Sequence, residues 1–333
     1  MSKINVALVI AFAVQSLCWQ LPAFSEETSD PLPSWNEGAA KKAILQFVHD
    51  TTTKGGADFV PPEERIATFD QDGTLWVEQP MYAEYCYALA EVKALAPQHP
   101  EWKTEEPFAS VLAGDQAMLK TMNAAGVEKI VGTTHGDMTV QQFQKDVTDW
   151  LGTAKHPRFN KPYTQLTYEP MQEVMRYLRA NGFQTYIVTG GGQDFVRAFA
   201  EPTYGVQPQQ VIGTMGKSKF EYKSKGNTAI TKEPQVLLVV NNGGKPEAIH
   251  LVVGRRPIAA FGNSGGDKEM LEYTQSGSGK RLMMLVHHDD AEREYDYGPK
   301  SRVGTFSDEL MKEANDSGWS VISIKNDWKK VFR

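Results

Sequence analysis

The sequence predicts an α/β chain built on a doubly wound parallel sheet, with a mainly helical insertion after the first strand. Three observations carry this expectation. Short apolar runs alternate with segments of helical periodicity through the second half of the chain. Several of those runs end abruptly in small or polar residues, as strands do where their carboxyl ends border a ligand crevice. Between the first run, Ile66-Ala67-Thr68-Phe69, and the second, Phe183 to Val188, residues 81 to 179 are dominated by helical spacing.

The chain has 333 residues and a net charge of −6, with ordinary apolar and charged fractions. It has no basic run, so nucleic acid and anionic membrane are poor partners. Residues 1 to 25 read as an export signal. Lys3 gives the positive start, Ile4 to Trp19 the broken apolar stretch, and Ala23-Phe24-Ser25 small residues at the positions a signal peptidase reads. Cleavage would remove Cys18 and leave Cys86 alone, so no disulfide framework exists. A periplasmic or secreted protein, without stable membrane association after signal removal, is expected. Cys86 lies in a helical pattern and reads as a packed thiol.

In chain order, residues 26 to 36 are a polar, Pro-rich leader. Ala39 to Thr51 form a helix with Ile44, Phe47 and Val48 on one face. Lys54 to Pro62 connect into the first strand. Helices follow at Tyr82 to Ala94, Pro107 to Ala124, Val140 to Leu151 and Met171 to Asn181, the last closed by Gly182. Short strands are expected at Val211 to Gly213, around Phe220 and Ile230, and at Leu237 to Val240, with Asn242-Gly243 as a hairpin turn. Lys245-Pro246 opens a helix closed by Gly254. Ile258 to Phe261 is a strand, and the tail repeats the rhythm at Arg281 to Val286, Ser307 to Asn315 and Trp319 to Ile324. The expected organisation is a core of residues 26–80 and 180–333, with residues 81–179 as a helical insertion.

The first strand ends in Asp70-Gln71-Asp72-Gly73-Thr74. Where the backbone stays extended, residues i and i+2 point the same way, so Asp70 and Asp72 converge. Two carboxylates that close repel, which suits a hard cation such as Mg²⁺. A calcium loop is excluded, because its twelfth position from Asp70 is Met81 instead of Glu. The second strand ends in Thr189-Gly190-Gly191-Gly192 and opens a helix. Such a turn aims backbone N–H groups at an anion, and Thr189 adds a hydroxyl donor. It is not the dinucleotide fingerprint, since Phe195 stands at the third glycine position. Lys245 sits at a helix N-terminus, an odd place for a cation on dipole grounds. The strand 258–261 ends in Gly262-Asn263-Ser264-Gly265-Gly266-Asp267, a small-residue turn rich in oxygens.

These four segments, in order and on the expected elements, resemble the motifs of the haloacid dehalogenase superfamily in its phosphatase form, with a Rossmann-like core. Asp70-x-Asp72-Gly73-Thr74 matches the first motif, Thr189-Gly190-Gly191 is similar to phosphoserine phosphatases, Lys245 fits the third and 262–267 the fourth, with Asn263 where an aspartate is common. The resemblance implies an Mg²⁺-dependent phosphomonoester hydrolase acting on a small phosphorylated metabolite. It implies Asp70 as nucleophile and Asp72 as acid and base. Thr189, Gly190 and Lys245 would bind the phosphoryl group. Asp70, Asp72, Asp267 and Asn263 would hold the metal, Asp267 more firmly than Asn263. It also implies a helical cap over the pocket. Asp72 argues against a dehalogenase, which has no leaving alcohol to protonate. A phosphotransferase using the same aspartyl-phosphate and an inactive binding protein on this core are the alternatives.

Phosphoserine phosphatases carry a Glu nine positions after the nucleophile; here Gln79 stands there, with Glu78 one off. The aromatics Trp76, Tyr82, Tyr85, Tyr87 and Trp102 read as cap core, with a quaternary-ammonium cage as the other reading. His287-His288-Asp289-Asp290, after a strand, reads as a solvated loop, with a second metal site as the other reading.

Overall fold

The computed structural model describes residues 30–333, apart from 116, 117, 119 and 120. The expected export signal lies outside the described residues. Among the described residues, no helix is long and apolar enough to cross a membrane.

Seven strands form one sheet in the order β4-β3-β2-β1-β5-β6-β7. They are β1 (Ile66–Phe69), β2 (Gln184–Gly192), β3 (Val211–Ser224), β4 (Asn227–Leu238), β5 (Ala259–Gly262), β6 (Leu282–His287) and β7 (Ser320–Ser323). All neighbours pair in parallel except β3 and β4. β1 lies between β2 and β5, with Phe69 opposite Ile187 on one side and Phe261 on the other. The winding reverses there, so the crevice opens at the carboxyl end of β1.

Strands β1, β5 and β6 are buried almost throughout and mostly apolar, because both faces are covered. Side chains alternate between two cores with the period of two expected of a strand. Phe69, Ala259, Phe261, Met284 and Val286 enter one core, where Phe69 and Phe261 stack at 4.4 Å. Ala260, Met283 and Leu285 enter the other. Helix α1 (Ala39–Thr52) buries Ile44, Phe47 and Val48 in the first core, as its periodicity predicts.

The insertion contains α2 (Ala83–Leu95), α3 (Phe108–Ala113), α4 (Ala124–His135), α5 (Val140–Thr153) and α6 (Glu169–Ala180). It is helical as expected, but it is not packed as one body. Ala88, Val92, Trp102, Phe108, Val111 and Ile130 make a small core of their own. Phe143 and Val147 of α5, and Met171 and Val174 of α6, join the core beneath the sheet. The expected helix 107–124 stops at Ala113, because Gly114 takes a left-handed φ of 69°.

The region after β2 also differs. The runs expected as separate short strands are one long antiparallel hairpin, β3–β4, joined through Lys225-Gly226 with Gly226 at φ 79°. Asn242-Gly243 is no hairpin turn; it bends the chain into the helix Gly244–Val253. The hairpin lies along α4. Gly132 and Gly136 permit this, since a Cβ at Gly132 would sit 2.9 Å from the Pro234 carbonyl oxygen.

Candidate active site

Three carboxyl-side strand ends meet at one cavity of about 370 Å³, lined by Asp70, Asp72, Thr189, Gly190, Lys245 and Asp267 among others. The chain thus brings six of the seven sequence-predicted residues onto one wall. The seventh, Asn263, is buried just behind it, next to Gly73.

Asp70 follows β1 directly, and its main-chain N–H donates to the Phe261 carbonyl at 2.9 Å, extending the β1–β5 ladder to the site. The Lys245 ammonium reaches it from the helix Gly244–Val253, donating to Asp70 Oδ1 at 2.5 Å, Asp267 Oδ1 at 2.6 Å and the Val188 carbonyl at 2.8 Å. The lysine's unexpected place at a helix N-terminus is explained by this pairing. It is 1 % exposed. Burial alone would push its ammonium down, but Asp267 and Asp70 outweigh burial and hold it up. Burial pushes the Asp70 carboxyl up, and Asp267 adds to this; Lys245 opposes both.

Asp72 turns into the same cavity. Its Oδ1 accepts the Trp76 indole N–H at 2.7 Å. Burial, with a smaller push from Glu84, raises its carboxyl to about 6 against the pull of the indole. An acid of that strength can both give and take a proton near neutrality.

The loop joining these acids depends on Gly73, at φ 77°. A Cβ there would collide with the Asn263 amide and Glu78. The Gly73 carbonyl faces His288 Nε2 at 2.8 Å, and His288 Nδ1 lies 3.0 Å from Glu294. His288 is therefore neither in a solvated loop nor free to ligate a metal; it pins the turn. Asp289 and Asp290 are held by Ser323 and Arg293.

On the second strand, Thr189 Oγ1 accepts the Gly191 N–H at 3.0 Å, which leaves the hydroxyl proton available. Gly213 allows β3 to approach: a Cβ there would lie 2.8 Å from the Gly191 carbonyl. The following helix, Gln193–Arg197, is a single short turn.

Asp267 has both oxygens engaged. Oδ1 takes Lys245; Oδ2 accepts N–H groups from Asn263 at 2.9 Å and Ser264 at 3.0 Å. Gly262 makes room for this, because a Cβ there would lie 2.5 Å from the Asp267 side chain. Asn263 donates its amide N–H to Glu78 at 2.7 Å and accepts from Thr74 at 3.2 Å. Among the described residues, no three His, Cys, Asp or Glu side chains are grouped so as to hold a metal ion. The oxygens on the cavity that suit a hard cation are the carboxylates of Asp70, Asp72 and Asp267, while the Asn263 amide oxygen is turned to the Thr74 hydroxyl behind the wall. Such a set fits Mg²⁺, which keeps several waters of its own.

Sequence reasoning missed several residues. Counting positions directs attention to Gln79, yet Gln79 turns away onto Ser301 and Val303. Glu78 turns inward, and burial pushes its carboxyl well up. Glu84, at the start of α2, accepts the Gly192 N–H at 2.7 Å and lies 3.4 Å from His135. Nothing local distinguishes it from the surface acids common in a first helical turn. Of the five aromatics, Trp76, Tyr87 and Trp102 are buried in core, while Tyr82 and Tyr85 line the cavity.

Residues 67–272 match the family model described as haloacid dehalogenase-like hydrolase. No curated protein matches the chain. Among solved structures, a conserved protein of unknown function from Anaerococcus prevotii DSM 20548 is 15% identical, covers 85% of this chain and 91% of its own, and has a TM-score of 0.55. At that identity the likeness concerns the fold. A protein of unknown function from Bordetella pertussis Tohama I is also 15% identical, over 78% of this chain and 98% of its own, with a TM-score of 0.48. A probable phosphoserine phosphatase from Vibrio cholerae is 15% identical, over 69% of this chain and 58% of its own, with a TM-score of 0.37. With the family match spanning more than half of the chain and its paired acids facing one cavity, the chain belongs to the haloacid dehalogenase-like hydrolase family.

Proposed function

We propose that the enzyme hydrolyses the phosphate monoester of a small metabolite through an aspartyl-phosphate on Asp70, with Mg²⁺ as cofactor, and that it does so after export. One observation supports this most: Lys245 holds one oxygen of Asp70 at 2.5 Å while Asp72 faces the same cavity.

Lys245 fixes Oδ1, so Oδ2 is the attacking atom. It forms a bond to phosphorus as the bond to the leaving oxygen breaks, in line. Asp72 gives its proton to the leaving alcohol. It then takes a proton from a water, whose oxygen attacks phosphorus and frees Asp70 and inorganic phosphate. The Thr189 hydroxyl and the N–H groups of the glycine turn suit the equatorial oxygens. Asp70, the Asp72 carbonyl and Asp267 would hold Mg²⁺, with Asn263 as the weaker candidate, and the bound ion would neutralise charge on the phosphoryl oxygens. Asp267 would also hold Lys245 in place.

Residues 81–179 serve as a cap that shields the cavity and reads the alcohol. The cavity continues past Glu84, Val127 and Val131 into an apolar chamber of about 460 Å³ between α4 and β4. That chamber favours an alcohol with an apolar body. The export signal and the single remaining cysteine support a periplasmic or secreted setting.

Hydrolysis of p-nitrophenyl phosphate, with and without EDTA, tests the reading. Phosphate release that EDTA abolishes, and that Asp70→Asn abolishes, is expected. Full activity in Asp70→Asn would overturn the assigned nucleophile. Added glycerol separates phosphotransfer, since nitrophenol release would then exceed phosphate release.

A further inference from the structure

The chamber beyond the catalytic cavity lies between a helix and a strand. Glu84, Val127, Val131 and Val239 line both spaces, so one runs into the other. At one end α4 and β4 close on each other. A Cβ at Gly132 would sit 2.9 Å from the Pro234 carbonyl oxygen, and one at Gly136 3.2 Å from the Pro234 Cα. At the other end the chamber meets solvent, because its lining residues Val236 and Val239 are 43 % and 58 % exposed. Leu237, between them in sequence, is 70 % exposed. Three apolar side chains within four residues, left to water beside a cavity, mark a surface that something apolar covers.

The walls offer an occupant contact area and few hydrogen bonds. Val127, Val131, Pro234, Val236 and Val239 supply aliphatic surface. The charged groups are engaged or turned to water. Glu84 accepts the Gly192 N–H at 2.7 Å, Lys232 pairs with Asp194 at 2.6 Å, Glu233 pairs with Lys217 at 2.9 Å, and Glu128 is exposed. Among the described residues that line the chamber, His135 carries the one aromatic ring, and it is buried against Glu84. A flat base or indole would find no open face to stack on there. A flexible chain of methylenes needs only what these walls give.

We propose that the substrate is the phosphate monoester of a long-chain alcohol, a single-chain lipid phosphate. Its head lies at Asp70 and Asp72, and its chain runs between α4 and β4 and leaves past Val236 and Val239. This rests on the phosphatase reading given under Proposed function. The open end has a consequence that a closed pocket lacks. Methylenes inside the chamber add affinity, whereas those beyond the lip add nothing and meet no wall.

The test measures kcat/KM of the full chain, with Mg²⁺, on ethyl, butyl, hexyl, octyl and decyl phosphate, each below its micelle threshold. Cyclohexyl phosphate serves as the compact partner of hexyl phosphate. In the wild type, kcat/KM should rise about 3- to 4-fold for each methylene buried, then level off without a fall. The gain should lie mainly in KM, because the chain is held alike in the ground and transition states. Hexyl phosphate should exceed cyclohexyl phosphate. Val127→Asp, which sets a carboxylate in the chamber, should bring the octyl-to-ethyl ratio down toward one. That ratio is taken within one protein, so a general loss of activity cancels, and the wild-type series stands without the variant. Hydrolysis of p-nitrophenyl phosphate with a kcat/KM that is flat or falling along the series, or cyclohexyl phosphate equal to hexyl, would overturn the chain site and leave the phosphatase reading intact. Failure to hydrolyse p-nitrophenyl phosphate as well would overturn that reading and this inference with it.

Discussion

The two walls of the cavity are built differently. On the sheet side, Asp70, Lys245 and Asp267 form a closed triad of buried charges, with Asp72 tied to Trp76 and Gly73 to His288. Each group has a strong partner in fixed geometry. On the insertion side, Tyr82, Tyr85, Val127 and Val131 present mostly apolar surface, and Glu84 is the main polar tie, through Gly192. The contrast separates two tasks. Charges that do chemistry need preorganisation and water exclusion. Surfaces that choose an alcohol need shape, and shape tolerates change.

If this is right, damage to the sheet wall should be severe and damage to the insertion wall selective. Asp70→Asn should lower kcat by about 10³-fold or more with little change in fold, as read by steady-state kinetics and melting temperature. Lys245→Met should come next. It removes a cation from between two buried carboxylates, so about 3–5 kcal/mol of stability should go with most of the activity, measured by urea unfolding. Loss of activity with unchanged stability would show that the triad is not a packed unit.

Gly73→Ala tests the turn that aims both acids. Its positive φ and the crowding by Asn263 and Glu78 predict a loss of about 1–3 kcal/mol and a lower kcat. Trp76→Phe probes the acid itself. The indole N–H holds the Asp72 carboxyl down, so its removal should push that carboxyl up from about 6. If protonated Asp72 is needed for the first step, kcat/KM falls as pH rises through that value, and in Trp76→Phe this fall should move to higher pH. Stability follows the same sign. A carboxyl raised by the fold favours the fold at low pH, and that contribution is lost as pH rises from the ordinary carboxylate range through about 6. Metal-free protein should therefore melt lower across that window, and Mg²⁺ should lessen the drop. The mildest change should come from Val131→Trp, which narrows the way into the apolar chamber. Bulky esters should lose kcat/KM by about 10-fold or more, and small ones should keep theirs.

The same contrast explains what could be read from residue order. Strand tips announce themselves, because an apolar run ending in Asp70-x-Asp72 or Thr189-Gly190-Gly191 changes character within one residue. Alternation between strands and helices then dictates a parallel sheet with those tips on one edge. Roles that depend on a distant partner leave no such mark. Asp267 is drawn to Lys245 and the turn N–H groups across a fold that spacing does not specify. Glu78 faces inward and Gln79 outward only because Asn263 and Tyr297 meet one, and Ser301 the other. The long hairpin hid behind polar, Lys-rich strands, whose pairing is set by register and by contact with α4.

The proposed covalent step through Asp70 is tested most directly by trapping it. The enzyme is mixed with a reactive phosphomonoester, quenched in acid within the first turnover and reduced with borohydride, and its peptides are weighed. An acyl phosphate on Asp70 would leave homoserine at position 70 and at no other acid. Turnover that leaves Asp70 unreduced, or puts homoserine elsewhere, would contradict it.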